Sequence, residues 1–277
     1  MTLSRTRRLA PLARLAATFV AALALAGAAS AQQLTVSAAA SLTDAFKALA
    51  PQFEAGKPGV TVRYNFAASG TLLQQISQGA PVDVLASADQ ATLDRGVEQK
   101  LLDPATRVDF ARNTLVLIEP AQEGLKLKTL QDLTGESVKK IAIGKPASVP
   151  AGRYTQQSLE AARLWAPLTP KFVQADSVRQ VLDYVSRGEV EAGFVYRTDA
   201  ATAGDKIKIV LTATGHTPVT YPVAATTDSA NKQLAKDFIA FLATPAARQV
   251  LDQYGFGQPL CLASCVIRTC PRPVVPA

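Results

Sequence analysis

The chain has 277 residues, 48% of them hydrophobic and 18% charged, with a formal net charge of +7. Four arginines in residues 1–31 and two in the last twenty residues carry most of that excess, leaving +1 for residues 32–257. A near-neutral body with no basic stripe, and no basic run interleaved with aromatics, excludes nucleic acid as the partner.

In chain order, the N-terminus carries Arg5, Arg7, Arg8 and Arg14, then an apolar run from Leu15 to Ala26, then Ala29-Ser30-Ala31. This is the three-part pattern of a secretory signal peptide, with cleavage expected after Ala31. The apolar run is 12 residues long, short of the roughly 20 that a spanning helix needs. No cysteine follows the cleavage site, which disfavours a lipid anchor, and the residues around Arg7-Arg8 fit a twin-arginine signal poorly. The expected product is an exported, periplasmic protein.

The body alternates strand-like and helix-like segments, and four of the junctions share one form: an apolar run stops at small residues and a helix begins at once. LTVSAAA leads into a helix with Leu42, Phe46, Leu49 and Phe53 at helical spacing, Ser41 as its expected N-cap and Asp44 completing a capping box. VTVRYNFAA leads into a helix capped by Ser69, striped by Leu72, Leu73 and Ile76 and stopped at Gly79. KKIAIG is followed by KPASVPAG and a helical RYTQQSLEAARLW, with Pro150 and Ala151 in the first turn. KFVQA precedes a helix with Val178, Val181, Leu182 and Val185 on one face and Gly188 after its end.

Further strands are expected at VDVLAS, TLVLIE, EAGFVY, KIKIVL and YPVAATT, and further helices from Gln90 and across residues 231–242. Strands alternating with helices call for an α/β architecture of mostly parallel sheets. The four junctions fall into two pairs about eighty residues apart, and two lobes facing across a cleft would bring the pairs together. Four helix N-termini at one place make an anion site, because their first N–H groups have no intrahelical acceptor and carry partial positive charge.

All three cysteines, Cys261, Cys265 and Cys270, lie in the tail, where neither helical nor alternating periodicity is present. Their spacing matches no common zinc pattern and the single histidine, His216, is remote in sequence, so residues 258–277 are expected to be a disordered extension. Lys145 and Arg153 flank the VPAG turn and are expected to be solvated surface charges. Asp83 is expected to begin a strand and Asp89 to cap a helix. A secreted hydrolase has little support: no G-x-S-x-G elbow, P-loop or dinucleotide G-x-G-x-x-G is present, and His216 sits in a turn-like stretch expected to be exposed.

The segments AAASLTDAF, FAASGTLLQQI, GAPVDVLASAD, VPAGRY, DSVRQVL, GFVYRTDA and YPVA, closing with QYGF, together resemble the periplasmic molybdate-binding proteins of ABC transporters. The resemblance runs from Leu34 to Phe256. It implies a two-lobed type II periplasmic binding protein fold, with chain crossings near Asn113 and Tyr221, lobe one formed by residues 32–112 plus 222–257 and lobe two by residues 113–221. It further implies that molybdate or tungstate is held by the hydroxyl groups of Ser41 and Ser69, the backbone amides of Ala151 and Val178, and Tyr196, with no other cofactor. An inner-membrane ABC permease is the implied partner of a monomeric, non-enzymatic binding protein. The rival ligands are sulfate and thiosulfate, which have the same shape, so cavity size must discriminate.

Overall fold

A computed structural model describes residues 32–122 and 124–259. The signal-peptide expectation and the three cysteines lie outside the described residues. The elements follow the expected alternation. In the first part of the chain come β1 (Gln32–Ala39), α1 (Thr43–Ala55), β2 (Val60–Ala67), α2 (Ser69–Ser77), β3 (Val84–Ala86), α3 (Gln90–Glu98) and β4 (Val108–Arg112). Then come β5 (Leu115–Pro120), β6 (Ile141–Gly144), α4 (Pro150–Ala161), α5 (Trp165–Leu168), β7 (Phe172–Ala175), α6 (Val178–Ser186), β8 (Ala192–Tyr196), α7 (Arg197–Thr202) and β9 (Ile207–Thr212). The chain then returns through β10 (Thr220–Ala225), α8 (Lys232–Leu242) and α9 (Pro245–Gln253).

These strands build two five-stranded sheets, ordered β2-β1-β3-β10-β4 and β7-β6-β8-β5-β9. Each sheet is mixed rather than mostly parallel. β1 pairs in parallel with β2 and β3, and β6 with β7 and β8, while β10 runs antiparallel to both of its neighbours, as does β5. The path of the chain accounts for it: it passes between sheets from β4 to β5 and again from β9 to β10, and the strand it enters at each crossing, β5 or β10, runs against the rest of its sheet. The first crossing is a two-residue link, and Asn113 N–H donates to Val219 O at 3.1 Å across to the second.

All nine expected strands are present, and β4 is a tenth that pattern reading missed. Its side chains do not alternate in burial, with Val108 and Asp109 exposed and Phe110 and Ala111 buried, as suits the edge of a sheet. The helix expected over RYTQQSLEAARLW ends at Ala161, because Arg163 takes a left-handed conformation (φ 61°) and Trp165 starts a separate short turn. α9 was also missed, although Thr244 and Pro245 carry its start signal: Thr244 Oγ1 accepts from Ala247 N–H at 3.3 Å. Gly79 and Gly188 follow α2 and α6 with positive φ, as expected.

The amphipathic face of α1 sits on the first sheet. Phe46 packs against Tyr64, Phe110 and Phe238 at centroid distances of 5.8, 5.7 and 6.0 Å, pairs worth about 0.5–1.5 kcal/mol each beyond their burial. A second aromatic series, Tyr154, Tyr196, Tyr221 and Phe256, runs edge-on from one sheet to the other at spacings of 6.5, 6.0 and 5.3 Å. It forms the floor between the lobes.

Candidate functional site

The parallel register β1/β2 puts Ala39 opposite Ala67, so the turns leading into α1 and α2 lie side by side at the carboxyl edge of the first sheet. In the second sheet Gly144 lies opposite Ala175, which brings the starts of α4 and α6 together in the same way. The two edges face each other. Ser41, Ser69, Ala151, Val178 and Tyr196 all line a single cavity of about 10 Å³, completed by Ala39, Ala40, Ala67, Ala68, Ala88, Val149 and Pro150. The grooves elsewhere on the surface are far larger, one of about 400 Å³ beside β4 and α8. In this closed arrangement the cavity is far too small for a sugar or peptide.

It is closed to solvent: Ser41 is 3% exposed, Ser69 0% and Tyr196 1%. No Lys, Arg, Asp or Glu is among its lining residues. What it offers is neutral donors. Ser69 and Val178 are the first residues of their helices and Ala151 is the second of its own, so their N–H groups lack intrahelical acceptors, and no backbone acceptor outside the helices takes them among the described residues. Ser41 lies in a 3-10 turn (Ala40–Leu42) that precedes α1. Tyr196 ends β8, and its buried hydroxyl has no hydrogen-bond partner among the described residues. Burial holds that phenol well above its ordinary pKa, so it stays protonated and able to donate.

The two serines are not helix caps. The position before α2 is Ala68, and α1 begins at Thr43, whose Oγ1 donates to Ala40 O. Asp44 closes no capping box and pairs instead with Arg179. Freed from capping, Ser69 Oγ accepts the Ala88 N–H at 3.1 Å, and Ser41 Oγ lies 2.9 Å from Tyr221 Oη. The cap expected at Asp89 is present, with Oδ1 accepting from Thr92 N–H at 3.3 Å. Asp83 precedes β3 and accepts from Thr35 N–H at 2.8 Å and from Ser229 Oγ at 2.7 Å. His216 is half-buried against Tyr154 rather than exposed.

Arg153 also departs from expectation. It is not a solvated surface charge but reaches from α4 to the other lobe, where it pairs with Asp89, 2.6 Å away, and donates to Thr92 Oγ1 at 2.9 Å. On the opposite flank Arg179 of α6 binds Asp44 of α1 at 2.7 Å and Asp199 at 2.5 Å. Gly70 N–H donates to Ser148 O at 2.9 Å, and Tyr154 Oη to Ala88 O at 3.4 Å, so the rim is stitched between lobes at four places. Lys145 is paired with Asp176 in its own lobe. Sequence reading missed these bridges because each partner lies at least 61 residues from the other, where no periodicity links them.

Two lobes, each with its strand ends and helix starts turned toward a closed cavity of fixed neutral donors, define a protein that sequesters a small solute rather than one that transforms it. Residues 34–257 match the family model described as bacterial extracellular solute-binding protein, and the chain belongs to that family. The molybdate-binding protein ModA of Escherichia coli (strain K12) is 38% identical over 229 residues, which cover 81% of this chain and 88% of that protein. ModA of Haemophilus influenzae is 35% identical over 246 residues, covering 87% and 95%. Among solved structures, the periplasmic molybdate-binding protein of Azotobacter vinelandii superposes with a TM-score of 0.73 at 27% identity, covering 82% of this chain and 100% of that one. The sulfate-binding protein SubI of Mycobacterium tuberculosis H37Rv superposes at 0.70 with 18% identity over 81% of this chain and 86% of its own, a likeness of fold alone.

Proposed function

We propose that this chain captures molybdate or tungstate in the interlobe cavity and delivers it to an ABC permease of the inner membrane, acting in the periplasm after cleavage behind Ala31. The observation that carries this reading is the donor set: a buried, unpartnered Tyr196 hydroxyl meeting helix starts at Ser69, Ala151 and Val178 in a cavity with no charged lining. A fully deprotonated tetrahedral dianion presents acceptors only, and it is stabilised by N–H and O–H groups that converge on it without a counter-charge. Ser41, Ser69 and Tyr196 contribute hydroxyl donors in this reading, and Ala151 and Val178 contribute backbone N–H groups. The identity of the relatives favours molybdate over sulfate. The ligand is cargo, and no resident cofactor is part of the proposal.

Calorimetric titration of the purified protein with molybdate, tungstate and sulfate is the test. Tight binding of the first two and much weaker binding of sulfate is expected. Equal affinity for sulfate and molybdate would overturn the ligand assignment.

A further inference from the structure

The hydrogen-bond chain behind Ser41 has a fixed direction. Asn113, in the first crossing, accepts the Thr114 N–H on Oδ1 at 2.8 Å. Only the amide oxygen can accept a backbone N–H, so the Asn113 nitrogen must face the other way. It donates to Thr198 Oγ1 at 2.8 Å and to Tyr221 Oη at 3.1 Å. Tyr221 is fully buried in β10, and among the described residues its hydroxyl has one other hydrogen-bond partner, Ser41 Oγ. Since Asn113 already supplies a hydrogen to Tyr221 Oη, the phenol hydrogen goes to Ser41. Reversing that bond would leave a buried O–H without an acceptor, a substantial penalty. Ser41 Oγ thus receives a hydrogen from Tyr221 and turns its own toward the cavity. Ser69 is set in the same sense by the Ala88 N–H.

We infer that Asn113 and Tyr221 are positioning residues which lock Ser41 as a hydrogen-bond donor toward the cavity, so that its hydroxyl is held against turning to accept the proton of a hydrogen-bearing oxyanion. The inference rests on the oxyanion reading above. It assigns selectivity by protonation state to two residues that do not line the cavity, in addition to selectivity by size. Both residues lie at the chain crossings, 108 residues apart in sequence.

The test is a double-mutant cycle on the purified full chain, titrated calorimetrically with molybdate and with hydrogen arsenate at neutral pH, with thermal melts to follow folding. Tyr221→Phe should weaken molybdate binding about tenfold and raise the arsenate-to-molybdate affinity ratio, because the Ser41 hydroxyl is then free to turn and accept. Ser41→Ala should weaken molybdate without raising that ratio, and adding Tyr221→Phe to it should change the molybdate affinity by less than about twofold. Should Tyr221→Phe fail to fold, Asn113→Ala serves, with the same coupling to Ser41 expected. Losses that multiply in the double mutant, a wild-type affinity in Tyr221→Phe, or an unchanged arsenate ratio would each overturn the inference. Failure of the unaltered protein to bind molybdate would instead overturn the function proposed above.

Discussion

The two rims of the cavity are made differently. The first lobe presents Ser41 and Ser69, whose hydroxyls are each held by a partner on or beside the first sheet, Tyr221 of β10 and the Ala88 peptide. The second lobe presents helix starts at Ala151 and Val178, residues with no side-chain donor, and adds one phenol, Tyr196. Side-chain donors carry their function in an atom that mutation can remove. Backbone donors carry it in the position of a helix, which many side chains would preserve. The contrast teaches that chemical identity matters on one rim and shape on the other.

The contact between the rims gives the largest expected effect. A Cβ on Gly70 would stand 2.7 Å from Ser148 O and 2.9 Å from Ser148 Cα, backbone atoms of the opposing lobe that cannot swing aside. Gly70→Ala should therefore oppose closure and cost about 1–3 kcal/mol of ligand affinity. Calorimetric titration of the variant with molybdate is the check. Unchanged affinity would remove Gly70 from the closing contact.

The asymmetry of the donors is tested next. Tyr196→Phe removes the hydroxyl and leaves the ring packed, and the loss should be about 1–3 kcal/mol of binding free energy. Val178→Ala keeps the N–H, so ligand affinity should stay within about twofold while the melting temperature falls through lost packing. Equal losses of affinity from the two substitutions would break the distinction between the rims.

The smallest effect is on pH dependence. Asp199 is buried behind Arg179, and desolvation raises its pKa from 3.8 to about 6 against the opposing attraction of Arg179. Between those values the native protein binds more protons at Asp199 than the unfolded chain, so its contribution to stability falls as pH rises through that window. Asp199→Asn should flatten the change in melting temperature between about pH 4 and pH 6. A profile identical to that of the unaltered protein would show that Asp199 does not titrate there.

Most of the strands and the leading helices were legible before the fold was known, for local reasons, and the five cavity residues were legible only through the family resemblance of the motifs that hold them. Apolar side chains at Val178, Val181, Leu182 and Val185 repeat with the helical period, and all four are buried. The small residues ending β1 and β2 mark turns into helices. Local signals misled where they had two possible meanings: a serine before an apolar helix is most often a cap, yet Ser41 and Ser69 bond to partners 180 and 19 residues away. Arg153 beside a loop reads as surface until the other lobe supplies Asp89.

Sequence by itself determined which segments become strands and helices, and where small residues place helix starts, because periodicity and turn chemistry act over a few neighbouring residues. Tertiary structure alone decided which way the Ser41 hydroxyl points, which arginines tie the lobes and how closely Gly70 meets Ser148. Those outcomes depend on atoms brought together across two sheets and two crossings, and burial makes their hydrogen bonds obligatory only once the chain has closed around them.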